Sequence, residues 1–237
     1  MKAIQRWLDY LFPEDQFCPV CGETPEAGRR AGFCAVCREA LRPPAPGLCQ
    51  GCRVRLTHTG AICVTCQSLG IRPLWALGAH TGILRQAVHR LKYGNWPILG
   101  QRLGEILGQK PELQRWGAGL VVPVPLHQQR ERQRGYNQAA LVASGLAVGL
   151  SIPVGKVLIR IRATTSQTHL DGETRRRNVA GAFGCAQPNT VRGRRILLVD
   201  DVVTTGATAR ECVRVLISAG AAAVGLAVVA VAELDNR

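Results

Sequence analysis

Apolar positions along the chain follow two patterns. Ile196-Leu197-Leu198-Val199 is an unbroken apolar run, as expected of a strand covered on both faces. Ala209, Cys212, Val213, Leu216 and Ile217 then recur at helical spacing, and Gly220 predicts the stop. The same alternation appears upstream. Leu74 to His80 reads as a first strand, and Ile83, Leu84, Ala87, Val88 and Leu91 mark an amphipathic helix closed by Lys92-Tyr93-Gly94. Ile98, Leu99, Leu103, Ile106 and Leu107 mark another helix. Leu120 to Leu126 is a second strand, expected to leave its ladder near Pro123 and Pro125, which lack N–H donors. Val154 to Ile161, Ala182 to Ala186 and Ala222 to Val231 complete the strand candidates. Strands alternating with helices predict the α/β class, a parallel sheet flanked by helices.

The front of the chain reads differently. Ile4, Leu8, Leu11 and Phe12 share one face of a short helix ended by Pro13. Residues 18–66 then hold eight of the ten cysteines, in four C-x-x-C pairs: Cys18/Cys21, Cys34/Cys37, Cys49/Cys52 and Cys63/Cys66. A Pro-rich joint, Pro43-Pro44-Ala45-Pro46, separates the first two pairs from the last two, so a four-thiolate unit is repeated. At this spacing the pairs read as tetrahedral Zn²⁺ sites rather than disulfides. Sequential pairing within each repeat is the first expectation; crossed pairing and a single occupied site stay open. His58 reads as a surface histidine. All-thiolate coordination leaves no open position, so the zinc is expected to hold the fold, which a short segment rich in Gly, Pro and Arg cannot do by apolar burial. The expected organisation is a helix over 1–17, a double zinc ribbon over 18–66 and an α/β domain over 67–237.

Composition adds a charge signal. The net charge is +14 with a pI near 10.0, and nearly all of the positive charge is arginine, the lysines being Lys2, Lys92, Lys110 and Lys156. Arginine pairs bidentately with phosphate and stacks on bases, so a polyanionic partner is expected. The longest near-apolar run, Ala219 to Ala232, is too short for a bilayer, and charge interrupts any signal-peptide core at the N-terminus. A cytoplasmic protein without membrane insertion is expected. G-x-x-x-x-G-K-[ST] and G-x-G-x-x-G are both absent, which argues against a nucleoside-triphosphatase and a dinucleotide reader. With aromatics at 5%, no base pocket is legible.

Two stretches carry candidate chemistry. After the Ile196–Val199 run come Asp200 and Asp201, then Thr204, Thr205, Gly206, Ala207 and Thr208. Hydroxyls beside the free N–H groups of a helix start favour a phosphate, and paired carboxylates suit a sugar diol or water-bridged Mg²⁺. This string resembles the phosphoribosyl pyrophosphate (PRPP) signature of type I phosphoribosyltransferases. The resemblance implies that Asp200 and Asp201 contact ribose hydroxyls and that Thr204 to Thr208 cradle the 5′-phosphate. Arg130, Arg132, Arg134 and Gly135, with Asn137 as a helix cap, read as a dense anion site of the kind a pyrophosphate needs.

Val122-Pro123-Val124-Pro125-Leu126, then Arg130 through Arg134-Gly135-Tyr136-Asn137-Gln138, is similar to the ComF (competence protein F) family, as is the later Arg160-x-Arg162-x-Thr164-x-x-Gln167-x-x-Leu170 segment with Arg175-Arg176-Arg177-Asn178. That resemblance implies a zinc ribbon ahead of a phosphoribosyltransferase-like domain, and a role in natural competence with imported single-stranded DNA and competence-machinery proteins as partners. It also places Arg162, Thr164 and Gln167 in a lid loop. Two function classes follow: a module that binds PRPP with Mg²⁺, and an active enzyme moving phosphoribose to a nucleobase or amine with release of pyrophosphate. A scaffold role leaves the two candidate stretches unexplained. His80 and His89 read as structural, His127 and His169 as incidental, and Cys185 and Cys212 as core.

Overall fold

The computed structural model describes residues 73–162 and 179–232, the segment 33–41, and Cys18, Val20, Cys21, Cys49, Cys63, Cys66, Gln67, Gly70 and Ile71. The expected helix over 1–17, Cys52, His58, Thr164, Gln167, His169 and Arg175 to Arg177 lie outside the described residues.

In chain order the elements are α1 (Ala35–Leu41), β1 (Leu74–Ala79), α2 (Gly82–Tyr93), α3 (Pro97–Gly108), α4 (Pro111–Trp116), β2 (Leu120–Pro123), α5 (Gln128–Arg134), α6 (Gln138–Leu150), β3 (Leu158–Arg160), β4 (Phe183–Cys185), α7 (Pro188–Val191), β5 (Arg195–Val203), α8 (Ala207–Ser218) and β6 (Ala223–Val231). Strands β1, β6, β5 and β2 pair in that order and all in parallel. β3 and β4 form a separate antiparallel pair. The expected strand over Val154 to Ile161 shrinks accordingly, to Leu158–Arg160 plus a single bridge from Val154 to Val121. β2 ends at Pro123 as its prolines require.

Alternate residues of the central strands feed opposite faces. Ile196 and Leu198 join the core under α8, with Ala209, Cys212 and Leu216, whereas Leu197 and Val199 join the core under α3 and α6, with Leu99, Leu103, Val142 and Leu146. All four strand residues are fully buried, which is why the run is apolar without alternation. Each such side chain contributes about 1.5–3 kcal/mol of burial.

Helices α3 and α6 approach unusually closely because glycines line their contact. A Cβ on Gly104 would run into the Val142 carbonyl oxygen, and one on Gly145 into the Gln101 carbonyl oxygen. At Gly100 the obstacle is Leu141 Cβ, at 2.6 Å. The apolar periodicity of α3 predicts its buried face; the Gly100/Gly104/Gly108 row within it sets the interaxial distance.

The described part of the Cys-rich front meets the body at α2 and joins both of its cores. Cys18, Val20, Phe33 and Cys37 belong to the core on the Trp75/Leu77 face, while Cys49, Cys66 and Ile71 belong to the core on the Leu74/Ala76 face. The two cysteine groups therefore belong to different cores, one on each side of the sheet. Arg90 of α2 adds a hydrogen bond to the Cys21 carbonyl oxygen at 3.3 Å.

Candidate functional site

Parallel pairing sends the carboxyl ends of β1, β2 and β5 to one edge of the sheet, and a cleft of about 1220 Å³ opens there. It is lined by Asp200, Asp201, Thr204, Thr205, Gly206, Ala207 and Thr208 from the end of β5, and by Arg130, Arg132, Arg134 and Gly135 from the other stretch. Both candidate stretches, distant in sequence, thus meet in one cavity.

The acidic pair is built into β5 rather than following it. Asp200 still pairs with Val228 of β6, and β5 runs on to Val203. The Asp200 carboxylate accepts the Asp201 N–H at 2.9 Å, and the Asp201 carboxylate accepts the Val202 N–H at 2.6 Å. Lys92 of α2 reaches across to Asp201 at 3.0 Å. Burial, reinforced by the Asp201 charge, pushes the Asp200 carboxyl up to about 8. Gly206 adopts the left-handed conformation (φ 71°) as the first residue before α8, which turns Thr204 and Thr205 toward the cleft and opens the helix N-terminus onto it.

The arginine stretch is itself a helix, α5. His127 starts α5 by accepting the Gln129 N–H on its Nδ1 at 3.3 Å, and Gly135 ends it in the left-handed conformation (φ 78°). Arg130 and Arg134 are four residues apart on one helix face and half-buried, whereas Arg132 is exposed. The residues after Gly135 each fasten the helix. Tyr136 donates its hydroxyl to the Leu91 carbonyl oxygen at 3.0 Å. Asn137 caps α6 through the Ala139 N–H at 3.0 Å and donates its amide to the Val124 carbonyl oxygen at 3.0 Å. Gln138, 2% exposed, accepts from Arg134 at 2.9 Å and so aims that guanidinium.

Four further side chains line the cleft that sequence reasoning left without a role: His80, Lys92, Tyr93 and Arg160. His80 follows β1, and a strand's carboxyl end was the available signal. Burial, with help from Lys92 and Arg85, holds its imidazole below the usual value, against the Asp201 charge. Burial and the nearby Arg130 charge lower the Arg160 guanidinium from its ordinary value; an anion between these two cations would relieve the crowding. Arg162 lies elsewhere. It donates to the Ala180 carbonyl oxygen at 2.8 Å and lines a second cavity, of about 590 Å³, that also touches Arg160. Cys212 packs beneath the site, its thiol pushed up by burial and then by the Asp200 charge, so it is an inert core residue.

Among the described cysteines, the sulfurs of Cys18, Cys21, Cys34 and Cys37 lie within 4.8 Å of one another, as do those of Cys49, Cys63 and Cys66. This is the sequential grouping. Cys37 N–H points to Cys34 Sγ at 3.4 Å and Cys66 N–H to Cys63 Sγ at 3.4 Å, the amide support that thiolates of a zinc knuckle need. Burial raises Cys18, but the amides of Cys21, Cys34 and Val20 outweigh it and bring the thiol down to about 7. Burial and the neighbouring sulfurs push Cys37 up. Only a cation lets all four ionise together, and the donor set suits structural Zn²⁺.

Comparison with known proteins agrees with both halves. A double zinc ribbon domain model matches residues 7–68, and a phosphoribosyl transferase domain model matches residues 134–236. DNA utilization protein YhgH of Salmonella typhimurium is 34% identical over 217 residues, covering 87% of this chain and 93% of the relative. Competence protein F of Haemophilus influenzae is 31% identical, covering 77% of this chain and 90% of its own length. Competence protein ComFC of Bacillus subtilis is 28% identical, with 80% of each chain covered. Among the described residues no helix is long and apolar enough to cross a membrane.

Proposed function

The chain belongs to the ComF family of competence-related proteins, with a double zinc ribbon ahead of a phosphoribosyltransferase domain, and from that premise we propose that its cleft binds PRPP or a related phosphoribosyl ligand with Mg²⁺ in the service of handling single-stranded DNA. On this reading residues 18–66 are the zinc-held unit and 67–237 the ligand-binding body. Asp200 and Asp201 hold the ribose hydroxyls and a water-bridged Mg²⁺, Thr204 to Thr208 take the 5′-phosphate, and Arg130 and Arg134 take the pyrophosphate. Bound there, Mg²⁺ would neutralise pyrophosphate charge. Arg162, Thr164 and Gln167 belong to the segment that would cover the ligand. The DNA role comes from the relatives' names and from the +14 charge, since phosphate contacts dominate non-specific nucleic-acid affinity.

One observation carries the reading: the hydroxyl-rich turn, the acidic pair and the Arg130/Arg134 face line a single open cleft. The test is thermal stabilisation by PRPP with Mg²⁺ in the parent protein and in Asp200→Ala/Asp201→Ala. The parent should be stabilised and the double variant should not; an unshifted parent removes the ligand.

Transfer of phosphoribose to a nucleobase or amine, with release of pyrophosphate, is favoured by one observation. His80 lines the cleft, and burial lowers its imidazole pKa, which favours the form able to accept a proton from an acceptor. Pyrophosphate release from PRPP and Mg²⁺ with a panel of bases and amines, lost in His80→Ala, would establish turnover; stabilisation by PRPP without release would leave a binding module.

A further inference from the structure

The turn between α2 and α3 supplies the cleft with what its phosphate-handling residues lack, a flat apolar surface. Tyr93, the last residue of α2, lines the cavity and is 68% exposed. A large aromatic ring in that position is not serving the core. Arg134 lies over the ring at 5.3 Å, and the His89 ring sits 5.0 Å away at 49°. Asn95, two residues on, lines the same cavity and holds a left-handed backbone (φ 49°). A non-glycine residue in that conformation costs energy, and such residues gather at ligand sites. Its amide offers a donor pair and an acceptor. Lys92, immediately before Tyr93, is paired with Asp201, and Tyr136 is hydrogen-bonded to Leu91, so the turn is fastened to both halves of the phosphate site.

We propose that Tyr93, layered with Arg134 and edged by Asn95, is a stacking subsite for an unpaired nucleobase. This deepens the phosphoribosyl reading and rests on it for the class of ligand. A base stacks on an aromatic ring whatever its identity, an arginine adds a cationic plane, and a carboxamide can reach the base edge. A neutral ring next to cations and phosphate-binding amides selects a molecule with both a π face and phosphates. Two sources present that chemistry: a free base or nucleoside entering beside the phosphoribosyl ligand, and a base of a single strand whose backbone follows the arginines.

The test measures binding of two probes, fluorescein-labelled dT12 and free adenine in the presence of PRPP and Mg²⁺, by the parent protein, Tyr93→Ala and Tyr93→Trp. Because Tyr93 is mostly exposed, both variants keep the core intact. Tyr93→Ala should weaken at least one probe about tenfold, with Tyr93→Trp restoring it, as stacking but not hydrogen bonding by the phenol requires. The dT12 salt slope should be unchanged, because a tyrosine releases no counterions. Loss confined to dT12 assigns the subsite to a strand, and loss confined to adenine assigns it to a free base. Parental affinity of Tyr93→Ala for both probes overturns the subsite, as does a Tyr93→Trp variant as weak as Tyr93→Ala, or a parent that binds neither probe. A parent unshifted by PRPP whose dT12 affinity still falls tenfold in Tyr93→Ala keeps the subsite and removes the phosphoribosyl reading. A PRPP-stabilised parent with an indifferent Tyr93→Ala does the reverse.

Discussion

In the sheet, Ile196, Leu197, Leu198 and Val199 are fully buried in succession, and alternate residues meet two separate helical layers. In the front, the buried residues among those described are mostly cysteines, with Val20, Phe33 and Ile71 beside them. The first region is held by apolar area, the second by a donor set that becomes stable only around a dication. The contrast shows how a chain can add a second structural unit without a second hydrophobic core. Each thiolate group joins one of the two cores that flank the sheet. The two regions nevertheless share α2, whose Arg90 touches Cys21 and whose Lys92 touches Asp201.

Metal removal is the sharpest way to break this comparison. Structural Zn²⁺ contributes about 10 kcal/mol or more to folding in small domains. A strong chelator should therefore abolish amide-exchange protection across 33–41 while β5 and β6 keep theirs. Protection retained in the front with zinc gone would put both regions under the same force. Gly145→Ala attacks the other side. Its methyl would meet the Gln101 backbone, which cannot rotate away, so a loss of about 3 kcal/mol is expected in the urea midpoint. A neutral result would show that α3 and α6 can slide apart.

Asn137→Ala removes both the α6 cap and the tie to β2 through Val124, and should cost about 1 kcal/mol of stability. If PRPP binds as proposed, its stabilisation should fall as well, because Arg134 sits three residues before the lost anchor. The smallest effect concerns pH. A carboxyl held up at about 8 stabilises the fold while protonated. Its contribution is full below the ordinary range near 4 and is lost as pH rises through about 8. Asp200→Asn should therefore raise the melting temperature of the ligand-free protein at pH 8.5, and not at pH 4. The open cleft screens the charge, so the gain is about 2 °C. Equal melting at both pH values would mean that burial of Asp200 carries no cost.

Much of the architecture was legible because it is local. Unbroken apolar runs for the buried strands, helical spacing at Leu84, Val88 and Leu91, prolines ending β2 and Asn137 capping α6 are all set by neighbours in sequence. So was the cysteine repeat, since a C-x-x-C pair carries its own geometry. The arginine stretch was legible as a dense cationic segment but not as a helix. Only the helix puts Arg130 and Arg134 on one half-buried face and leaves Arg132 more exposed. Lys92 and Tyr93 carried no local pattern to mark them, and the position of His80 at the end of a strand was the only signal for it.

The sequence by itself determined the parallel α/β pattern, the thiolate repeats and the chemistry of the two candidate stretches, because each depends on residues a few positions apart. The tertiary structure alone decided that those stretches share a cleft, that Lys92 reaches Asp201 and that Tyr93 faces the same cavity. Those meetings depend on which strand ends lie side by side, and strand order is settled by the packing of the whole sheet rather than by any one segment.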